Sequence, residues 1–377
     1  MINEYRAYYS TTSGGTYTQL SNLVEFTVNA GRKHQLDQYN TATASLTFRY
    51  PTGFASPITD LVAGTFIRIT GTEGSFIEYS GVISNVSVKY GIPYSGGVGN
   101  ADYLFIDCES WFASLGRMQG NGYAMPSGTT LDQVLNASTQ TGVSMTSSAF
   151  TPVLAGTTIN STWADWLNRT AMTINGRIID AAPNQQIRLR SPFNLYQSSV
   201  SFTDAGPGEG KQVYNQINFQ SLSDNFYTQV TVTPESFGAA TVTKVGATIP
   251  YRTYQTNTFS GSTSQASDLA QYLLNNYGTS KFAITSISAS ERAQGSYFLL
   301  DQVGVLDSTP GIFAAVGAQI SVTFRGSTFV CVVEGCTVSG TPEDTVYTYH
   351  LSGADLNAYL ILDNSTFGKL NENKLAY

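Results

Sequence analysis

Apolar and polar residues alternate through the first third of the chain, at Val24 to Val28, Thr43 to Tyr50, Phe66 to Thr70, Ile77 to Tyr90 and Tyr103 to Glu109. A period of two places one set of side chains on each face, so each run predicts a half-buried strand. Turn formers separate the runs, among them Pro51-Thr52-Gly53, Gly71-Thr72-Glu73-Gly74 and Ser95-Gly96-Gly97. Strands spaced this evenly, with no long helical stretch between them, predict a barrel or sandwich over residues 1–112 that closes near Trp111.

The rhythm changes between residues 113 and 198. Leu131, Val134, Leu135 and Ser138 follow a 3.6 period after Thr129-Thr130 and stop at Gly142, which predicts a short amphipathic helix. Trp163, Trp166, Leu167 and Thr170 repeat the pattern, with Ser161 as N-cap and a strand over Arg177 to Asp180 beyond the turn at Asn175-Gly176. Two short helices and a few strands make a small inserted α+β domain. From 199 to 356 strands return at Tyr214 to Ser221, Tyr227 to Thr233, Phe282 to Ala289, Gln319 to Phe324, Thr328 to Glu334 and Thr345 to Leu351. One helix interrupts them, starting at Ser267 and stopped by Gly278, and residues 357–377 read as an extended C-terminal tail.

Two stretches echo each other. Gly64-Thr65-Phe66-Ile67-Arg68-Ile69-Thr70 is followed by Ser75-Phe76-Ile77 and Gly81; Gly317-Ala318-Gln319-Ile320-Ser321-Val322-Thr323 is followed by Thr328-Phe329-Val330 and Gly335. Each then runs into a further strand, Asp102-Tyr103-Leu104-Phe105 in one and Val346-Tyr347-Thr348-Tyr349 in the other. Generic hairpins are the plain alternative; a duplicated β-module is the reading pursued here.

Composition agrees with a β-rich chain. Of 377 residues 41% are hydrophobic, only 12% are charged, and 23 are Tyr; ordinary soluble proteins carry roughly 25% charge. Net charge is −7 with no dense basic run, against a nucleic-acid binder that must displace counterions. The first residues, Met1-Ile2-Asn3-Glu4-Tyr5, lack a signal-peptide pattern and no stretch reaches the ~20 apolar residues of a membrane span. Synthesis and folding in a cytoplasm are therefore expected, and the sequon Asn160-Ser161-Thr162 is not read as glycosylated. Cys331 and Cys336 fall on opposite faces of one strand unless a bulge at Gly335 intervenes, so core thiols are expected rather than a disulfide.

Gly31-Arg32-Lys33-His34-Gln35-Leu36-Asp37-Gln38-Tyr39, followed by Thr41 to Thr47, resembles the opening of the minor tail proteins, or tail hubs, of long-tailed bacteriophages. Ile77-Glu78-Tyr79-Ser80-Gly81-Val82-Ile83 is similar to their next strand. The likeness continues at Asp268 to Tyr277, at Gly317 to Thr323, and at the closing Leu362-Asp363-Asn364-Ser365-Thr366-Phe367-Gly368-Lys369-Leu370. Each motif alone is a strand or turn pattern; their order along the chain carries the resemblance. It implies a mainly β fold with minor α: two tube-like β-barrel domains, an inserted α+β domain and an extended tail. It also implies a structural virion protein at the tail tip, closing the tail tube around a channel for DNA. The implied partners are a distal tail ring protein, the tape-measure protein terminus and tail fibre or other tip proteins.

Symmetry gives the duplication a use. A tail tube is sixfold and a tip often threefold, so a homotrimer of chains carrying two similar modules offers six similar surfaces. The acidic balance suggests a lumen that does not hold phosphates. Arg32, Lys33, His34, Leu36 and Asp37, in a charged turn of a charge-poor chain, and Leu362, Phe367 and Leu370, in a tail too poor in apolar residues to fold alone, are the candidate interface residues. A hexameric distal tail ring protein is the alternative within this class.

Catalysis finds no support. His34 and His350 are the only histidines, and no H-E-x-x-H, C-x-x-C, EF-hand loop or G-x-S-x-G elbow occurs. Gly206 to Lys211 superficially resembles a phosphate loop, but Ala205 stands where the first Gly is needed and Gln212 follows the Lys. No catalytic residue, metal or cofactor is expected. Tyr90, Tyr94, Tyr103, Tyr251 and Tyr254 leave a glycan-binding tip module as the reading from another class.

Overall fold

A computed structural model describes residues 5–51, 61–71, 77–91, 101–147, 152–180, 186–190, 196–221, 226–278, 282–297, 300, 303, 315–341 and 343–353. The first module comprises β1 (Arg6–Ser10), β2 (Thr18–Leu20), β3 (Leu23–Gly31), β4 (Thr43–Tyr50), β5 (Phe66–Thr70), β6 (Ile77–Lys89) and β7 (Asp102–Glu109). The inserted region follows as α1 (Trp111–Arg117), β8 (Tyr123–Met125), β9 (Gly128–Thr129), α2 (Thr130–Thr141), β10 (Met145–Ser147), β11 (Val153–Leu154), β12 (Thr157–Ile159), α3 (Trp163–Thr173), β13 (Arg177–Ile179) and β14 (Ile187–Arg190). The remainder is β15 (Tyr196–Thr203), β16 (Lys211–Val213), β17 (Gln216–Ser221), β18 (Gln229–Pro234), β19 (Ala240–Thr243), β20 (Thr253–Thr258), α4 (Thr263–Tyr277), β21 (Phe282–Ser290), α5 (Glu291–Gln294), β22 (Ala318–Phe324), β23 (Ser327–Gly340) and β24 (Thr345–Gly353).

Among the described residues, 14 of these strands form one sheet. Its first half runs β2-β1-β5-β6-β7-β4-β3, its second joins β16-β15-β22-β23 and branches through β24 and β21 to β17. The halves repeat each other. In each, a hairpin (β5–β6 or β22–β23) leads into a strand (β7 or β24) that pairs antiparallel with the long second strand and also with a member of a third hairpin-like pair (β4–β3 or β21–β17). The long strands, β6 with 13 residues and β23 with 14, pair with one neighbour in their first half and another in their second. A bulge marks the change, between Ile83 and Asn85 in one and between Val333 and Gly335 in the other. An extra residue bends a strand, so each module folds its sheet over its own apolar side. The described residues show no closed barrel.

Two details of the repeat differ from the sequence reading. Gly64 N–H donates to the Ile83 carbonyl (2.8 Å) and Gly317 N–H to the Val333 carbonyl (2.7 Å), so these pairs are equivalent. Tyr79, opposite Ile69, thus corresponds to Phe329, opposite Val322, in place of the Phe76 that the sequence alignment of the two stretches set against Phe329. On the following strand Asp107 corresponds to His350, which makes Leu104 the partner of Tyr347 rather than Tyr103. The copies also differ where they begin: β1 pairs antiparallel with β5, but β15 lies parallel to β22.

One core runs through both modules and the inserted region, filled by side chains such as Phe48, Tyr79, Trp166, Phe202, Tyr347 and Tyr349. A second, smaller core lies between α4 and a separate sheet, β19-β18-β20, which takes the strand expected at Tyr227 to Thr233 out of the large sheet. Thr129 caps α2 in a reciprocal capping box with Asp132, and Gly142 ends it in the left-handed region at φ 70°. Leu135 points outward and Gln133 inward, because Gln133 donates to the carbonyls of Pro126 and Ala155. Thr162, not Ser161, caps α3, and α4 begins at the Ser262 cap, a turn before Ser267. The bulge before Gly335 brings Cys331 and Cys336 both inside, without a disulfide. The tail residues Leu362, Phe367 and Leu370 lie outside the described residues. No helix among the described residues is long and apolar enough to cross a membrane.

Candidate assembly interface

The two modules meet along β3 and β23, paired antiparallel from Gly31↔Gly335 to Phe26↔Gly340. Alternation sorts the seam into two faces. Val28 and Val338 are wholly buried on one; on the other Thr337 donates to the Asn29 amide oxygen (2.8 Å), and the Thr27 and Ser339 hydroxyls lie 3.5 Å apart. Gly31 has a φ of 82° and lies so near the β23 backbone that a Cβ would come within 2.4 Å of the Glu334 carbonyl oxygen. Gly335 is equally crowded, its added Cβ 2.5 Å from the Arg32 carbonyl oxygen. Only glycine allows the two backbones this approach.

The bulge turns Glu334 inward, where it is wholly buried. Arg32 gives Nε and Nη2 to Oε2, both at 2.9 Å; Arg177 Nη2 reaches Oε1 at 2.7 Å, and the Ser352 hydroxyl donates to the same oxygen at 2.6 Å. Arg32 also stacks on Tyr39, 4.4 Å from the ring centroid. Burial alone would raise the Glu334 carboxyl, but Arg177 and Arg32 outweigh it and hold the group down at about 2. Burial likewise pushes Tyr39 up to about 12, despite the neighbouring Arg32. Arg32 comes from the first module, Arg177 from the inserted region and Glu334 from the second module, so one carboxylate ties three parts of the chain together. A buried pair adds little net stability over an apolar core, yet removing one partner strands the other charges, so the cluster fixes how the parts sit.

The Arg32 to Asp37 turn is largely spent inside the chain. Gln35 is buried, donates to the Asn175 side chain (2.9 Å) and the Tyr272 hydroxyl (3.2 Å), and accepts from the Tyr277 hydroxyl (2.8 Å). Leu36 packs against the small core beneath α4. Asp37 accepts from the His34 N–H at 3.0 Å, and Lys33 and Asp37 remain exposed. His350 sits near this turn, and its pKa is lowered by burial first and by Lys33 and His34 next. Glu334 and Arg177 were absent from the sequence expectation. A lone carboxylate in the apolar run from Phe329 to Val338 was the available signal.

Beyond the seam the sheet has one polar face, rich in hydroxyls and amides. Ser45 donates to Asp107 (2.9 Å), Asn218 to Ser286 (2.9 Å), and Ser288 lies 2.8 Å from Thr348. Glu25 and Asp107 are its exposed acids, with Arg49 and Lys89 nearby on the same face. Away from the sheet, a cleft of about 180 Å³ is lined by Thr157, Asn160, Trp166, Arg169, Glu235 and Phe259. Its carboxylate already accepts from Thr157 (2.6 Å) and Arg169 (3.2 Å). Among the described residues no group of three His, Cys, Asp or Glu side chains converges on a metal position.

No protein-family model matches this sequence, and no curated protein matches it. Solved structures do. A tail protein from Neisseria meningitidis MC58 superposes with a TM-score of 0.64 at 12% identity, covering 93% of this chain and 97% of that one. The 43 kDa tail protein of prophage MuSo2 from Shewanella oneidensis gives 0.63 at 11% identity, covering 93% and 98%. The E. coli c3393 protein, a type VI secretion component described as similar to the T4 tail proteins gp27 and gp5, gives 0.53 at 9% identity, covering 89% and 74%. Over nearly its whole length, the chain shares the fold of these three proteins.

Proposed function

We propose that this chain is a structural, non-enzymatic subunit of a bacteriophage tail tip: a hub in which three copies form a collar at the end of the tail tube. The observation that carries the reading is the β3–β23 seam, which sets two copies of one module side by side in a single sheet with one polar face. Three such chains present six similar modules, and a threefold ring then matches a sixfold tube. A distal ring built from six chains would have no use for the duplication. The polar face lines the channel in this reading. Its hydroxyls and amides, with Glu25 and Asp107 interspersed among Arg49, Lys89 and Lys211, would offer DNA no continuous cationic track to stick to.

The collar would be assembled in the host cytoplasm and meet a distal tail ring protein, the tape-measure terminus and fibre or other tip proteins. Exposed Lys33 and Asp37, and the tail carrying Leu362, Phe367 and Leu370, are the proposed contacts. Immunogold labelling of intact particles tests the placement. Label confined to the distal tip is expected, whereas label along the tube or at the head would refute the hub.

A further inference from the structure

We propose that the cleft between the inserted region and the β19-β18-β20 sheet binds the acetamido group of an N-acetylated amino sugar. The site stands apart from the seam and does not depend on the collar.

Three parts of the chain build the cleft. β12 and the residues after it supply Thr157 to Ser161, α3 supplies Trp166 and Arg169, and Glu235 and Phe259 directly follow β18 and β20. Its walls are braced from within. Arg169 Nη2 reaches one Glu235 oxygen at 3.2 Å, the Thr157 hydroxyl donates to the other at 2.6 Å, and the Arg169 guanidinium lies 4.2 Å from the Phe259 ring centroid. The Glu235 N–H donates to the Thr258 carbonyl (3.0 Å) and the Phe259 N–H to the Thr173 hydroxyl, one turn beyond Arg169 on α3 (2.9 Å).

Size, charge and hydrogen-bonding capacity narrow the ligand. At about 180 Å³ the cleft is smaller than the roughly 300–1,000 Å³ of a site that encloses a drug-sized molecule, so it takes one group of a larger one. Arg169 and Glu235 already pair with each other, and a charged group would meet its own sign as well as the opposite, so a neutral group fits best. Donors remain to be used. Trp166 is 1% exposed, and neither its Nε1 nor the buried Arg169 Nε has a hydrogen-bond partner within the protein; buried donors are normally paired. Each Glu235 oxygen holds one hydrogen bond and has capacity for another, and Ile159 and Phe259 supply buried apolar surface. An acetamido group matches all three: its carbonyl accepts from Trp166 Nε1, its N–H donates to Glu235, and its methyl packs on Ile159 and Phe259. Thr158, Asn160 and Ser161 are the exposed residues of the lining. Their hydroxyls and amide suit the ring hydroxyls of a sugar, which selects an amino sugar over an acetylated lysine.

Tryptophan fluorescence and saturation-transfer NMR of the full chain test the site. N-acetylglucosamine is expected to perturb the fluorescence with a dissociation constant on the order of 1 mM, and its acetyl methyl should receive the strongest saturation. Glucose lacks the acetamido group and glucosamine carries a cation in its place; both should bind about tenfold more weakly or worse. Nε-acetyl-lysine, an acetamide without ring hydroxyls, should also bind more weakly. Trp166→Phe keeps a ring and removes the N–H, so it should weaken N-acetylglucosamine about tenfold with circular dichroism unchanged. If that buried substitution unfolds the chain, Asn160→Ala at the exposed rim carries the test, with a loss of about threefold expected. Glucose binding as tightly as N-acetylglucosamine, or unchanged affinity in either folded variant, overturns the acetamido site. Nε-acetyl-lysine binding as tightly as the sugar overturns the choice of an amino sugar. No binding of any of the four ligands overturns the site altogether and leaves the collar standing.

Discussion

Glu334 shows how one residue can hold a chain in register with itself. Its two oxygens take four donors from Arg32, Arg177 and Ser352, so Glu334→Gln would leave two buried cations short of their counter-charge. Chemical denaturation should show a loss of about 3–5 kcal/mol near neutral pH. The pH dependence has a definite sign. The folded carboxyl is held at about 2 against an ordinary 4.5, so its contribution is full above about 4.5 and fades as pH falls towards 2. The gap between wild type and Glu334→Gln should therefore narrow over that window. A gap that stays constant would mean that Glu334 stabilises by shape and not by charge.

At the level of elements, local chemistry accounts for what the sequence made legible. The strands over Thr43–Tyr50 and Phe66–Thr70 match their predicted bounds because one face is buried and the other wet, which writes a period of two into the residues. The helix over Thr130–Thr141 was legible through its cap and its Gly stop, and Thr129→Ala tests that origin. Losing the cap costs about 1 kcal/mol, so amides in α2 should exchange roughly fivefold faster by hydrogen exchange; unchanged exchange would assign the helix to packing alone. The seam was not legible. Its two glycines, Gly31 and Gly335, are 304 positions apart in a chain of 377, and nothing local tells that their backbones touch. The separate β19-β18-β20 sheet was missed for a similar reason, since its alternation looks like that of the large sheet and only pairing distinguishes them. The tail motif at Leu362 to Leu370 falls outside the described residues.

At the scale of the whole molecule, duplication sets two like modules against each other in one sheet. The β3–β23 seam joins module to module inside the chain, and among the described residues the C-terminal half of β6 pairs only with β7 and β17 only with β21. Val28 and Val338 are wholly buried at the closed seam, whereas Val88 and Phe219 are only partly buried, apolar surface that the proposed collar would cover. Apolar area removed from water contributes about 25 cal/mol per Å², so covering it would favour the proposed collar. Native mass spectrometry of the isolated ring tests this most directly. Three chains of 40.6 kDa each are expected in one closed species; a six-chain ring, or a monomer at all concentrations, would contradict the duplicated-module collar.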